Sequence, residues 1–295
     1  MKLLVEASVL EQDRPSGVNY LASGLVAELE RMQNDDFRIG YFWLNFLRRK
    51  TPINASVQAA AARDDLQQIW AIPQRVYAKL VYYRVAPPLP VRKADWLFYP
   101  NFYLWPSLGK HKKAVIIHDL CYLHHPEYVE DKNRAFLSRV ATSSIKKADL
   151  IVVDSEFIAD ELVELTDTPR ENIHILGVPV DAADFDSSLD KGREHLASRY
   201  NVTKKYILSF GTLEPRKNLG TLLQAFARLG SAEPARLVLA GPRGWLDEPI
   251  VAAADRLGAR VRRLGAVPAA DLSSLYAAAT AFVFPSLYEG FGLPP

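Results

Sequence analysis

Short apolar runs alternate along this chain with segments whose apolar residues recur at helical spacing, the pattern of parallel strands joined by crossover helices. In the first half, Lys2 to Val9, Trp96 to Tyr99, Ala114 to Ile117, Leu150 to Val153 and Ile173 to Leu176 read as strands. Val18, Leu21, Leu25 and Leu29 share one face of a helix predicted over Val18 to Glu30. Between the last two of those strands, Asp154 or Ser155 can cap a helix whose first turn holds Glu156, where the helix dipole favours a carboxylate. After Val178-Pro179-Val180 the composition turns polar, with Asp181, Asp184, Asp186, Ser187, Ser188 and Asp190, which places a linker over 181–204. The pattern then restarts with a strand Tyr206 to Phe210, a loop Gly211 to Asn218 and a helix Leu219 to Leu229. Strands Arg236 to Ala240, Val261 to Leu264 and Ala281 to Phe284 follow, with a helix Ala270 to Ala279 before the last. The expectation is an α/β protein of two Rossmann-like doubly wound lobes, with a first domain over 1–180 and a second over 205–295.

Composition agrees with two domains: 295 residues with 49% hydrophobic content can bury two sizeable cores. The formal net charge is only +2, so no global electrostatic case for nucleic acid exists. The charge is nevertheless uneven, because residues 41–93 carry nine Lys or Arg against Asp64 and Asp65. Cys121 is the single cysteine, so no internal disulfide can form, which fits a reducing cytoplasm. The opening MKLLVEASVL is interrupted by Glu6 and is too short for a signal-peptide core, and no run approaches the roughly 18 apolar residues of a spanning helix. A soluble or peripheral protein is expected.

Two loops carry the candidate chemistry. Gly211-Thr-Leu-Glu-Pro-Arg-Lys-Asn218 lies between a strand and a helix, so its glycine admits a ligand to the backbone, the helix start presents amides, and Arg216 and Lys217 add positive charge. That combination suits a diphosphate, although alone it reads equally as a polar loop with solvated cations. Phe284-Pro-Ser-Leu-Tyr-Glu-Gly-Phe-Gly-Leu-Pro-Pro295 also follows a strand. There Glu289 can accept hydrogen bonds from ligand hydroxyls while Gly290 and Gly292 expose amides to a phosphate. The plainer reading of that glutamate is a cap for the next helix.

The segments FGTLEPRKNLGTLLQAF, LVLAGPRGW, LGAVPAADLSSLYAAATAFVFPSLYEGFGLPP and VVDSEFIADEL resemble the glycosyltransferase group 1 family, family 4 of the retaining GT-B enzymes. The Gly-Thr-Leu-Glu-Pro-Arg-Lys-Asn form is similar to bacterial mannosyltransferases of O-antigen and exopolysaccharide assembly. The resemblance implies that Arg216 and Lys217 bind the donor diphosphate and stabilise its developing charge. It implies that Glu289 holds hydroxyls of the donor sugar, and that Gly211, Gly241, Gly290, Phe291, Gly292 and Leu293 line the same ligand. Many relatives carry arginine directly after the first glycine, where this chain has Thr212. Ser16 and Gly17 resemble the loop that lies against donor phosphate and acceptor, or form a plain helix start, and Asp13 and Arg14 border the acceptor in that reading. Ile116-Ile117-His118-Asp119-Leu120 ends a strand with a histidine that in relatives lies close to the donor sugar; by itself His118 reads as a structural histidine. His124 and His125 follow without carboxylates at ligand spacing, so no metal is expected.

From the resemblance, the expected function is transfer of a hexose, mannose by preference, from a nucleotide diphosphate sugar to a glycan or lipid-linked saccharide with retention of configuration. GDP-mannose is the favoured donor, with UDP-sugars open, and no separate cofactor is expected. The second glutamate of the family's E-x7-E pattern would fall two residues beyond Pro295, so a C-terminally truncated chain is expected. The alternatives are a non-catalytic nucleotide-sugar-binding remnant and a nucleotide-sugar epimerase. Pro73 to Val85 mixes Arg75, Lys79 and Arg84 with Tyr77, Tyr82 and Tyr83, which reads either as a peripheral contact with the inner membrane face or as a helix flank with its aromatics packed inward.

Overall fold

A computed structural model describes residues 1–12, 16–48, 50–70, 72–177, 189–230 and 235–292. The chain divides into two compact units, Met1–Pro179 and Val180–Pro295.

The first unit holds one sheet of seven parallel strands: β1 Lys2–Glu6, β2 Arg38–Leu44, β3 Leu66–Ile69, β4 Trp96–Tyr99, β5 Lys112–Ile117, β6 Leu150–Val153 and β7 Ile173–Ile175. Their order is β3-β2-β1-β4-β5-β6-β7, which reverses direction between β1 and β4. Central strands covered on both faces must be apolar throughout. β5 meets this with Ala114 to Ile117 all buried, while Lys112 and Lys113 stand at its entrance. The connecting helices are α1 Gly17–Arg31, α2 Ala55–Ala62, α3 Gln74–Tyr82, α4 Cys121–His124, α5 Asp131–Ile145 and α6 Glu156–Thr166. Ser16 Oγ accepts from the Asn19 amide and caps α1, and Ser155 Oγ accepts from the Ile158 amide and caps α6. Of the two residues considered for that second cap, Asp154 is directed elsewhere.

The second unit opens with α7 Leu189–Tyr200. Leu196 of this helix is buried with Tyr206, Leu208 and Leu275, so residues 189–200, within the stretch read from the sequence as a linker, contribute a helix to the second core. A four-stranded parallel sheet follows, of order β10-β9-β8-β11, with β8 Tyr206–Phe210, β9 Arg236–Ala240, β10 Val261–Gly265 and β11 Ala281–Phe282. Helices α8 Leu219–Arg228, α9 Glu248–Arg256 and α10 Ala269–Ala278 connect them. Side chains alternate across β9: Leu237 and Leu239 join Leu223, Phe226 and Ile250 on one face, while Val238 and Ala240 join Leu196 and Leu275 on the other. That division follows from strand order. α8 and α9 carry the chain outward from β8 and cover one face; α10 brings it back past β8 and covers the other.

Candidate functional site

β8 and β11 are neighbours, yet the connections before and after them run to opposite faces of the sheet. At such a reversal the loops leaving the strands' carboxyl ends diverge and leave a crevice, which is where open α/β sheets bind ligands. The loop 211–218 leaves β8 there, and the loop from Val283 leaves β11 beside it. The pocket between them is lined by Gly211, Leu213, Lys217, Phe284, Pro285 and Ser286.

The charged side chains of the two loops meet, and one of them, Lys217, also lines that pocket. Lys217 Nζ donates to Glu289 Oε1 at 2.6 Å and sits 4.9 Å from the centroid of the Phe284 ring. Arg216 Nη1 donates to Glu289 Oε2 at 2.9 Å and to the Tyr288 carbonyl at 3.1 Å. On the other edge of the same guanidinium, Nε lies 3.0 Å and Nη2 2.9 Å from Glu214 Oε1. The Arg216 carbonyl also accepts from the Leu287 amide at 2.9 Å, which ties the backbones of the two loops together. Burial raises the Glu214 carboxyl above the ordinary carboxylate range, and neighbouring Arg216 and Lys217 act against that shift. The sequence-predicted residues Arg216, Lys217 and Glu289 therefore form one cluster.

The glycines of these loops are structural necessities. Gly211 has φ 144°, a region that L side chains rarely adopt, and a Cβ on it would sit 3.3 Å from the Lys217 side chain. Gly241 has φ 143° at the end of β9, where a Cβ would run into the Gly211 carbonyl. The two loops are further joined by the Gly211 amide donating to the Ala240 carbonyl, and by the Leu213 amide donating to the Pro242 carbonyl, each at 2.9 Å.

In the first unit, His118 follows β5 and is buried. Its Nδ1 lies 2.9 Å from Asp154 Oδ2, beyond the end of β6, and its Nε2 lies 3.3 Å from the Pro100 carbonyl, beyond the end of β4. Phe102 packs against the ring at 5.4 Å. Three adjacent strand ends thus hold one imidazole. Ser16 and Gly17 stand exposed at the start of α1, while Asp13 and Arg14 lie outside the described residues.

Comparison with known proteins adds the decisive match: the family described as "Glycosyl transferases group 1" matches residues 190–295. The chain is 32% identical over 256 residues to O-antigen chain mannosyltransferase B of Escherichia coli, a match covering 85% of this chain and 61% of that protein. It is 33% identical over 196 residues to the serotype-specific mannosyltransferase WbdA of the same organism, covering 62% of this chain and 24% of that protein. Among solved structures, Anabaena HepE in complex with UDP and glucose superimposes with a TM-score of 0.64 at 16% identity, over 99% of this chain and 76% of that one. WaaG, a glycosyltransferase of lipopolysaccharide biosynthesis, does so with a TM-score of 0.65 at 12% identity, over 99% and 77%. The fold is the GT-B type expected from the motifs.

Within the matched segment, Gly290 follows Glu289 directly, Phe291 is half exposed, and Gly292 takes a φ of 85°. Leu293 lies outside the described residues. Three side chains escape sequence reading. Glu214 sits inside the quoted motif, but at helical spacing residues i and i+2 do not face each other. Its backbone is extended at φ −147°, ψ 158°, which lets its side chain fold back onto Arg216. Ser286 lines the pocket with its Oγ buried and without a hydrogen-bond partner among the described residues. Asp154, a helix-cap candidate by its place in the sequence, turns instead to His118.

Proposed function

We propose that this chain serves a retaining hexosyltransferase that moves a hexose, mannose by preference, from a nucleoside diphosphate sugar to a glycan or lipid-linked saccharide. The observation that carries the reading is the meeting of Arg216, Lys217 and Glu289 where the second sheet reverses its order. In this reading the two cations hold the donor diphosphate, and the Gly290, Phe291 and Gly292 amides line the same ligand. Because the cations are fixed before the ligand arrives, charge growing on the leaving diphosphate is met without reorganisation. Glu289, close to both, holds hydroxyls of the sugar whose bond breaks. His118 is the first unit's candidate contact to substrate. GDP-mannose is the favoured donor on the strength of the mannosyltransferase relatives, and a UDP-sugar is the competitor.

Titration calorimetry with GDP, UDP and GDP-mannose, run beside a transfer assay on an oligosaccharide acceptor, tests the proposal. Micromolar binding with sugar transfer is the expected outcome. Binding without turnover assigns a non-catalytic nucleotide-sugar-binding role, and an epimer formed without acceptor assigns an epimerase. Absence of binding by every nucleotide sinks the reading.

Among the described residues no helix is long and apolar enough to cross a membrane. A lipid-linked acceptor would then be met at the surface, and α3 offers one. Tyr77 is buried there with its hydroxyl on the Pro87 carbonyl, and Tyr82 packs against Phe136, so these two aromatics turn inward. Val76, Tyr83 and Val85 stay exposed among Arg75, Lys79 and Arg84. Peripheral attachment through this face predicts that neutralising the three cations abolishes cosedimentation with anionic liposomes.

A further inference from the structure

Arg216 is a long, flexible side chain carried on a three-residue 3-10 turn, Pro215–Lys217, a support too short to orient it. A guanidinium that must meet a diphosphate needs its fork held in one plane, because rotamer freedom otherwise has to be lost on binding. The side chain of Glu214 supplies the missing support. It is buried, and a single oxygen accepts from Nε while lying 2.9 Å from Nη2 in an ion pair, so one edge of the guanidinium is held. The opposite edge, through Nη1, is left facing Glu289 and the loop after β11. Glu214 also fixes the turn itself, its carbonyl accepting from the Lys217 amide at 3.1 Å.

We infer that Glu214 is a positioning residue for the donor diphosphate, acting through Arg216. The inference rests on the reading of this loop as the diphosphate site. Its physical logic is orientation at contact distance. The Glu214 carboxylate lies against one edge of Arg216, so a ligand on the other edge meets an oriented cation rather than a distant anion. Glu289, by contrast, stands on the ligand side of both cations and has to share them.

The test is a double-mutant cycle read by calorimetric binding of GDP and UDP to the whole chain: wild type, E214Q, R216A and E214Q/R216A. E214Q keeps the size and removes the charge. It is expected to weaken diphosphate binding about tenfold, the loss of one charge-assisted contact. In the R216A background the same change is expected to have no further effect, since there is no guanidinium left to position. E214D, which keeps the charge and shortens the reach, is expected to fall between wild type and E214Q. If E214Q fails to fold by circular dichroism, E214D carries the test alone: a weakened affinity with an unchanged spectrum supports positioning, and an unchanged affinity overturns it.

A pH series adds a readout that a packing role would not move. The charged groups facing Glu214 are Arg216 and Lys217 from its own loop and Glu289 from the loop after β11. As pH falls and Glu214 takes up a proton, wild type is expected to converge on E214Q, so the ratio of their affinities tends to one while the ligand's own titration cancels. Tighter binding by E214Q, additive effects in the cycle, or a ratio constant with pH would each overturn the inference. Failure of wild type itself to bind either nucleotide would instead remove the donor-site reading beneath it.

Discussion

Glu6 ends β1 as a carboxylate enclosed by the first unit. Burial pushes it from the ordinary 4.5 up to about 7, against hydrogen bonds from Ser8. The fold therefore holds a proton that the unfolded chain releases, and the sign follows. Its contribution to stability is complete below pH 4.5 and is lost as pH rises through 7, a swing of about 3 kcal/mol. E6Q removes the titration, so thermal melts should show the variant gaining on wild type between pH 5 and pH 8, with little difference at the acidic end. Equal shifts for both proteins would count against it. At this scale the sequence singled out Arg216, Lys217 and Glu289 by their types in two strand-end loops and by the family resemblance, and the structure brings the three side chains together. Glu214, Ser286 and Asp154 were not legible. Their roles depend on where a side chain turns after an extended residue or a strand end, and spacing along the chain does not carry that.

At the scale of elements, the strands most readable from the sequence were those buried on both faces, such as Ala114–Ile117 and Leu237–Ala240. β2 was missed because its apolar run extends through Phe46 and Leu47, where periodicity alone does not separate a strand from a buried helix. β3 was missed because only Leu66 and Ile69 of its four residues are buried. β1 and β11 proved shorter than their apolar runs: after Glu6 and Phe282 the chain leaves the sheet to build loops. The loop after β9 supplies the sharpest prediction here. G241A places a methyl group against the Gly211 carbonyl, at a φ alanine resists, so the β8 and β9 loops must part. Nucleotide binding should be lost by calorimetry while far-ultraviolet circular dichroism keeps its helix and strand content. Retained binding would show that the loops tolerate separation.

At the scale of the molecule, each unit has its own sheet and its own buried cores. A fragment of residues 1–179 should accordingly melt cooperatively by calorimetry, and a broad, non-cooperative transition would show that it needs the second unit. The chain as a whole carries a formal charge of only +2. The cluster at the switch of the second sheet goes further, since Arg216 and Lys217 are answered one for one by Glu214 and Glu289. Viewed from a distance such a quartet is electroneutral, and an approaching polyanion feels little pull until it is within contact range. Capture by this protein should then be slow to respond to ionic strength. Stopped-flow association of a nucleoside diphosphate would be nearly flat from low to physiological salt, unlike the steep decline of sites that steer their ligands in.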